Sequence, residues 1–129
     1  MNRDYDGWNS YKKSLEKAGR QQTFNTGQVW WCAVGVNIGR EQDGKNAQFE
    51  RPILIFRKFG AETFLGLPLS TSHKEGIFYS SFTLNGRKSS VLLSQARVLS
   101  QHRLLRNMGR ITATDMKCIK QDFHNLIGK

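Results

Sequence analysis

Asn85-Gly86 separates two runs, Ile77–Leu84 and Ser89–Leu93, that both favour extended backbone. Both residues of the dipeptide tolerate positive φ, which the type I′ turn of a two-residue β-hairpin requires. Strand and turn signals also alternate upstream. Val29–Val36 is a nearly continuous apolar run, as expected of a strand covered on both faces. Ile53–Lys58 predicts a second strand, Phe59-Gly60-Ala61 a tight turn and Thr63–Leu69 a third strand, ending in Pro68-Leu69-Ser70-Thr71-Ser72. Gln95–Leu99 adds another short strand. Five to seven short strands joined by tight turns predict a mainly β chain folded as a compact, partly closed β-barrel.

Helical spacing occurs only near the two ends. Residues 8–18 place Trp8, Tyr11, Leu15 and Ala18 three and four apart, predicting a short amphipathic helix stopped by Gly19. Gln21 to Thr26 read as a polar linker. Thr112 or Thr114 can cap a final helix in which Met116, Ile119, Phe123 and Ile127 share one face. The predicted organisation is therefore an N-terminal helical extension over 1–26 and one barrel domain over 27–129.

Several chemistries lack the residues they need. No apolar run approaches the roughly 20 residues that cross a bilayer, and the N-terminus lacks the apolar core of a signal peptide. A cytoplasmic protein with no membrane partner is expected. Cys32 and Cys118 fall in apolar patterns without metal-ligand spacing, so both are expected to be reduced core residues. His73, His102 and His124 are scattered, with His73 placed just after the Ser/Thr cluster. No phosphate-cradling glycine motif is present. Neither a metal nor a nucleotide cofactor is expected.

Charge carries more information. Twenty Lys and Arg against ten Asp and Glu give +10, and Gly76 to Thr114 contains no acidic residue. Arg87, Lys88, Arg97, Arg103, Arg106 and Arg110 accumulate in that stretch. A solvated, solubilising surface is the plain explanation. A face for a polyanion, either nucleic acid or an acidic protein, explains the unmixed sign better.

The long polar run from Gly39 to Pro52, between two apolar strands, adds no core; loops of this kind on a compact scaffold usually serve function. It delivers Arg51 to the start of a strand beside Pro52, whose φ is fixed. In antiparallel neighbours the start of one strand lies beside the end of the next, so Arg51 and Ser70–Ser72 can converge on one rim. A guanidinium with adjacent hydroxyls suits a phosphodiester, offering bidentate donors and a fixed positive charge. The alternative is an Arg51 paired with an acid and a Ser/Thr cluster that only makes a turn.

Five segments occur in a telling order: Gly27-Gln28-Val29-Trp30-Trp31, Glu41-Gln42-x-Gly44, Arg51-Pro52-Ile53-Leu54-Ile55, Pro68-Leu69-Ser70-Thr71-Ser72 and Ser94-Gln95-Ala96-Arg97. A tail, Arg103-Leu104 with Gly109-Arg110-Ile111, precedes the last helix. Over residues 27–127 the chain resembles the MazF/PemK (Kid) toxins of type II toxin–antitoxin systems. The resemblance implies an SH3-like barrel that forms a homodimer and cuts single-stranded RNA without metal. Attack by the 2′-hydroxyl would leave a 2′,3′-cyclic phosphate and a 5′-hydroxyl.

Arg51 matches the family arginine assigned to proton transfer and transition-state stabilisation; with a pKa above about 12, stabilisation is the better role. Ser70 or Thr71 supplies the hydroxyl near the scissile phosphate. Glu41, Gln42, Ser72 and Gln95 match positions expected to bind substrate, and Arg97 and Arg87 join them from the basic stretch. The resemblance also implies an acidic antitoxin as partner. Adjacent strand residues face opposite ways, so one of Trp30 and Trp31 is expected in the core and the other free to stack bases.

The chain departs from the family in three places. Ser70 stands where the family commonly has Thr. Ser94 stands where some members carry an Asp proposed as a base. Lys45–Glu50 lengthens the loop before Arg-Pro, and the N-terminal helix is extra. Two readings from other classes remain open: a non-catalytic CcdB-like inhibitor of a protein such as gyrase, and a basic adaptor that binds nucleic acid without cutting it.

Overall fold

A computed structural model describes residues 5–17, 22–35, 50–70 and 75–128. Helix α1 (Tyr5–Lys17) precedes strands β1 (Gln28–Ala33), β2 (Glu50–Phe59), β3 (Thr63–Ser70), β4 (Tyr79–Leu84), β5 (Arg87–Leu92), β6 (Arg97–Ser100) and β7 (Leu104–Arg110). Single 3-10 turns, Leu93–Gln95 and Gln101–Arg103, flank β6, and helix α2 (Ala113–Ile127) ends the fold. All described strand pairs are antiparallel, in the order β4-β5-β3-β2-β1-β7 with β6 added to β3.

β2 explains why its apolar run is unbroken. Ile53 and Ile55 enter one core with Phe24, Trp30, Phe64, Leu99 and Leu104, while Leu54 enters another with Val29, Leu67, Val91 and Ile119. Both faces of the central strands are covered, and burying each such side chain contributes about 1.5–3 kcal/mol. Close approach is part of the packing: a Cβ at Gly66 would lie 2.6 Å from the Ile53 side chain.

The Asn85-Gly86 hairpin forms as expected, with φ of 51° and 78°. Its tip does more than reverse the chain. Asn85 Nδ2 donates to the Met108 carbonyl at 3.0 Å, joining the β4–β5 end of the sheet to β7 at the other end. A side chain rather than a backbone ladder spans that gap, which is why the barrel is only partly closed.

α2 packs across β4. Thr112 is its N-cap, accepting from Asp115 N at 3.0 Å, and Ser80 Oγ donates to Asp122 at 2.7 Å. Met116 and Ile119 are buried, and Phe123 meets Phe56 edge-on at 5.0 Å. Ile127 does not continue this face: it is 63% exposed, and Leu126 packs on the core instead. Cys118 is likewise exposed, two residues beyond Met116 and so turned away from the core face; only Cys32 is the expected buried thiol.

Other differences lie in the strands. β4 starts at Tyr79, with Ile77 and Phe78 exposed in a preceding turn. β1 stops at Ala33, and Gln95 belongs to a 3-10 turn. β7 is a strand that the sequence pattern did not announce. Its register on β1 shifts twice, so its polar residues follow no clean alternation. α1 begins at Tyr5; the Leu15 side chain and Ala18 lie outside the described residues. Trp8 is buried. Among the described residues no helix is long and apolar enough to cross a membrane.

Candidate functional site

β1 ends where β2 and β7 begin. Cys32 pairs with Arg51 on one side and Leu104 on the other, and Ala33 pairs with Glu50. Glu50 and Arg51 are consecutive strand residues, so they project to opposite faces of the sheet. Glu50 is buried and accepts a bidentate pair from Arg106, Nη1 to Oε2 at 3.0 Å and Nη2 to Oε1 at 2.8 Å. The Arg106 guanidinium also lies 5.3 Å from the centre of the Trp31 ring, its cross-strand neighbour. The hydrogen bond to Glu50 raises the Arg106 pKa, so this arginine is committed to its carboxylate.

Arg51 is half-buried, and its Nε is enclosed with no hydrogen-bond acceptor among the described residues. The residue as a whole has further interactions. Ile53 pairs with Pro68, the last pair before β3 crosses to β5, where Leu69 and Ser70 pair with Val91 and Ser90. Arg51 and Ser70 each lie two residues beyond that Ile53–Pro68 pair. The strand geometry therefore brings both to one corner.

A groove of about 400 Å³ opens beside Ser70, lined among others by Trp31, Pro52, Asn85, Arg87 and Met108; Arg51 is not part of its lining. Its walls combine flat apolar surface with a few polar groups, the usual make-up of a ligand cleft. Trp30, by contrast, is 7% exposed in the core, so the two tryptophans divide as their alternation requires.

A second group of arginines lies on the Cys32 side. Arg103 Nη1 donates to the Ala33 carbonyl at 3.1 Å, and its guanidinium stands 5.3 Å from the Trp8 ring centre. Burial lowers the Arg103 pKa, and the charge of Arg97 lowers it further. Burial pushes the Cys32 thiol far up, against the pull of Arg103, so the thiol stays neutral and unreactive.

Of the residues expected at the site, Arg51 and Ser70 each lie two residues past the Ile53–Pro68 pair, Ser70 and Arg87 line the groove, and Arg97 is near enough to Arg103 for its charge to act on it. Gln95 is half-buried in the turn before β6, and the neighbouring Ser94 is exposed. Thr71, Ser72, Glu41, Gln42 and His73 lie outside the described residues. His102 Nδ1 is 3.1 Å from Ser100 Oγ within its own turn, and His124 is exposed on α2. Among the described residues no group of three His, Cys, Asp or Glu could hold a metal.

Sequence reasoning missed Glu50, Trp8 and the local roles of Arg103 and Arg106. Glu50 and Arg106 are 56 positions apart. The one signal available was an acid beside Arg51 at the first position of an apolar strand.

The profile of the PemK-like, MazF-like toxins of type II toxin–antitoxin systems matches residues 25–127. Among solved structures, MazF from Deinococcus radiodurans is 18% identical with a TM-score of 0.65, covering 84% of this chain and 99% of its own. An endoribonuclease in complex with its cognate antitoxin, from a mycobacterial species, is 17% identical with a TM-score of 0.64, covering 82% and 96%. A MazE–MazF complex from Deinococcus radiodurans is 14% identical with a TM-score of 0.60, covering 83% and 97%. A search of curated protein sequences gives no match.

Proposed function

The chain belongs to the PemK-like, MazF-like toxins of type II toxin–antitoxin systems, and from that premise we propose that it is a metal-independent endoribonuclease acting on single-stranded RNA. The observation that carries the proposal is the strand register that sets Arg51 and Ser70 each two residues past the Ile53–Pro68 pair, with Ser70 on the wall of the Trp31–Arg87 groove. The ribose 2′-hydroxyl attacks the adjacent phosphorus and gives up its proton to water, the bond to the 5′-oxygen breaks as that oxygen takes a proton from water, and a 2′,3′-cyclic phosphate and 5′-hydroxyl result. Negative charge builds on the phosphoryl oxygens in between. Arg51 remains protonated throughout, and a fixed guanidinium in a half-buried site stabilises that charge strongly. The Ser70 or Thr71 hydroxyl donates to the same phosphate. Ser94 offers no carboxylate, so catalysis rests on electrostatic stabilisation more than on a positioned base.

The groove suits an unpaired base stacked on Trp31 with Arg87 near its phosphate. Residues 27–129 form the catalytic barrel in this scheme and residues 1–26 an extension. The protein acts in the cytoplasm as a homodimer, restrained by an acidic antitoxin that competes for the positive surface; two of the similar structures are complexes with an antitoxin.

The test is a long single-stranded RNA incubated with purified protein in excess EDTA, with product ends mapped chemically. Discrete cuts with cyclic-phosphate and 5′-hydroxyl ends, lost in Arg51→Ala, are expected. Intact RNA would refute the nuclease and turn attention to a protein target.

A further inference from the structure

The N-terminal helix lies before the residues that the family profile matches, yet it reaches the same end of the barrel as Arg51. Trp8 is its point of contact. The indole lies against Gly35, whose φ is +76°; a Cβ there would fall 1.9 Å from the Trp8 ring. The chain leaving β1 thus passes flush against the indole, which only glycine permits without strain. The other contact is Arg103, stacked on Trp8 and tied to the Ala33 carbonyl.

Among the described residues no carboxylate is paired with Arg103. Its described neighbours are a carbonyl, an indole face, the neutral Cys32 thiol and a second cation, Arg97. Arg106, only three residues away, has a buried carboxylate in bidentate contact. Holding a half-buried guanidinium charged costs free energy, and an anion placed against it offsets that cost. A planar fork fixed by an aromatic ring and a carbonyl is also preorganised for a phosphate.

We propose that Arg103, held by Trp8 and the Ala33 carbonyl, is a subsite for a backbone phosphate of single-stranded RNA neighbouring the one cut, and that Trp8 is its positioning residue. Arg103 lies next to Cys32, whose partner across β2 is Arg51, so the subsite and the scissile phosphate are close neighbours along one strand of RNA. This rests on RNA being the substrate.

The experiment compares full-length wild type, Arg103→Met, Trp8→Ala and Trp8→Phe by melting, by cleavage kinetics and by binding of a mixed-sequence 2′-O-methyl RNA, which cannot be cut by this route, over a range of salt. Losing one charge-assisted contact should raise KM about tenfold in Arg103→Met with little change in kcat. The log–log salt slope of binding should become shallower by about 0.7. Trp8→Ala should reproduce much of the KM change, and Trp8→Phe should restore it. Should the larger replacements unfold, Arg103→Lys carries the test: it keeps the salt slope and raises KM, because an ammonium cannot offer the fork.

Folded Arg103→Met and Trp8→Ala with wild-type KM and slope would overturn the subsite while leaving the nuclease intact. Arg103-dependent binding without any cleavage would support the subsite and refute the nuclease. Polyglutamate binding that depends on Arg103 when RNA binding does not would overturn the phosphate assignment in favour of an acidic protein.

Discussion

The two ends of the barrel are built on opposite plans. At one end β2 turns into β3 through Gly60, at φ +78°, and several nearby backbone groups find near partners. Gly27 N donates to the Ile55 carbonyl, Ile111 N to the Gly27 carbonyl and Lys58 N to Thr26 Oγ1. One of its cations, Lys58, lies over the Phe24 ring. At the other end stand Arg51, Arg97, Arg103 and Arg106, with two longer connections leaving β1 and β3. Short turns with local hydrogen bonds suit stability; concentrated like charge works against it, and proteins retain such charge where a ligand of opposite sign is bound. The difference is the ground for assigning the proposed function to the arginine end.

The sharpest way to break that division is to change one residue at each end. Arg51→Ala should lower kcat for RNA cleavage by about 10³-fold, the scale of losing one fixed transition-state donor, with the melting temperature nearly unchanged. Phe64 packs against Phe24 at 5.4 Å and is fully buried toward the closed end. Phe64→Ala should cost about 4 kcal/mol in chemical unfolding and leave the activity per folded molecule intact. Activity lost in Phe64→Ala at temperatures where it is folded, or retained in Arg51→Ala, would erase the distinction.

Glu50 is the exception that sharpens it, a stabilising group at the functional end. Glu50→Gln removes the charge to which Arg106 is committed and leaves a buried amide in its place. The melting temperature should fall. The freed cation should also tighten binding of single-stranded RNA at low salt and steepen its salt slope. A stable variant with unchanged binding would mean that the pair neither braces β2 nor restrains Arg106.

How much of this was legible follows the range of each interaction. The Asn85-Gly86 turn, β2 and β3 are written in local residues, so pattern alone finds them. Arg51 is also local, fixed by Pro52 and the apolar run that follows. β7 escaped because its register shifts against β1 destroy the alternation by which a strand is recognised. The Trp8–Arg103 stack and the Glu50–Arg106 pair escaped for a different reason: the fold alone brings together residues so distant in the chain. The acid-free stretch drew attention to its arginines, yet could not show that Arg106 is held by Glu50 while Arg103 has no acid beside it among the described residues.

The smallest expected effect belongs to Thr112, back at the closed end. Its side chain accepts from Asp115 N, satisfying one of the amide groups that a helix leaves without an internal partner. Asp115 also faces the helix N-terminus favourably and accepts from Thr83 N at 3.4 Å, tying α2 to β4. Thr112→Ala removes the cap but not Asp115, so the loss should be about 1 kcal/mol, or about 4 °C in the melting midpoint. Cleavage rate and salt slope should match wild type. A change in either would mean that α2 is coupled to the arginine end, and that the two ends of the barrel do not divide stability from function as cleanly as their construction suggests.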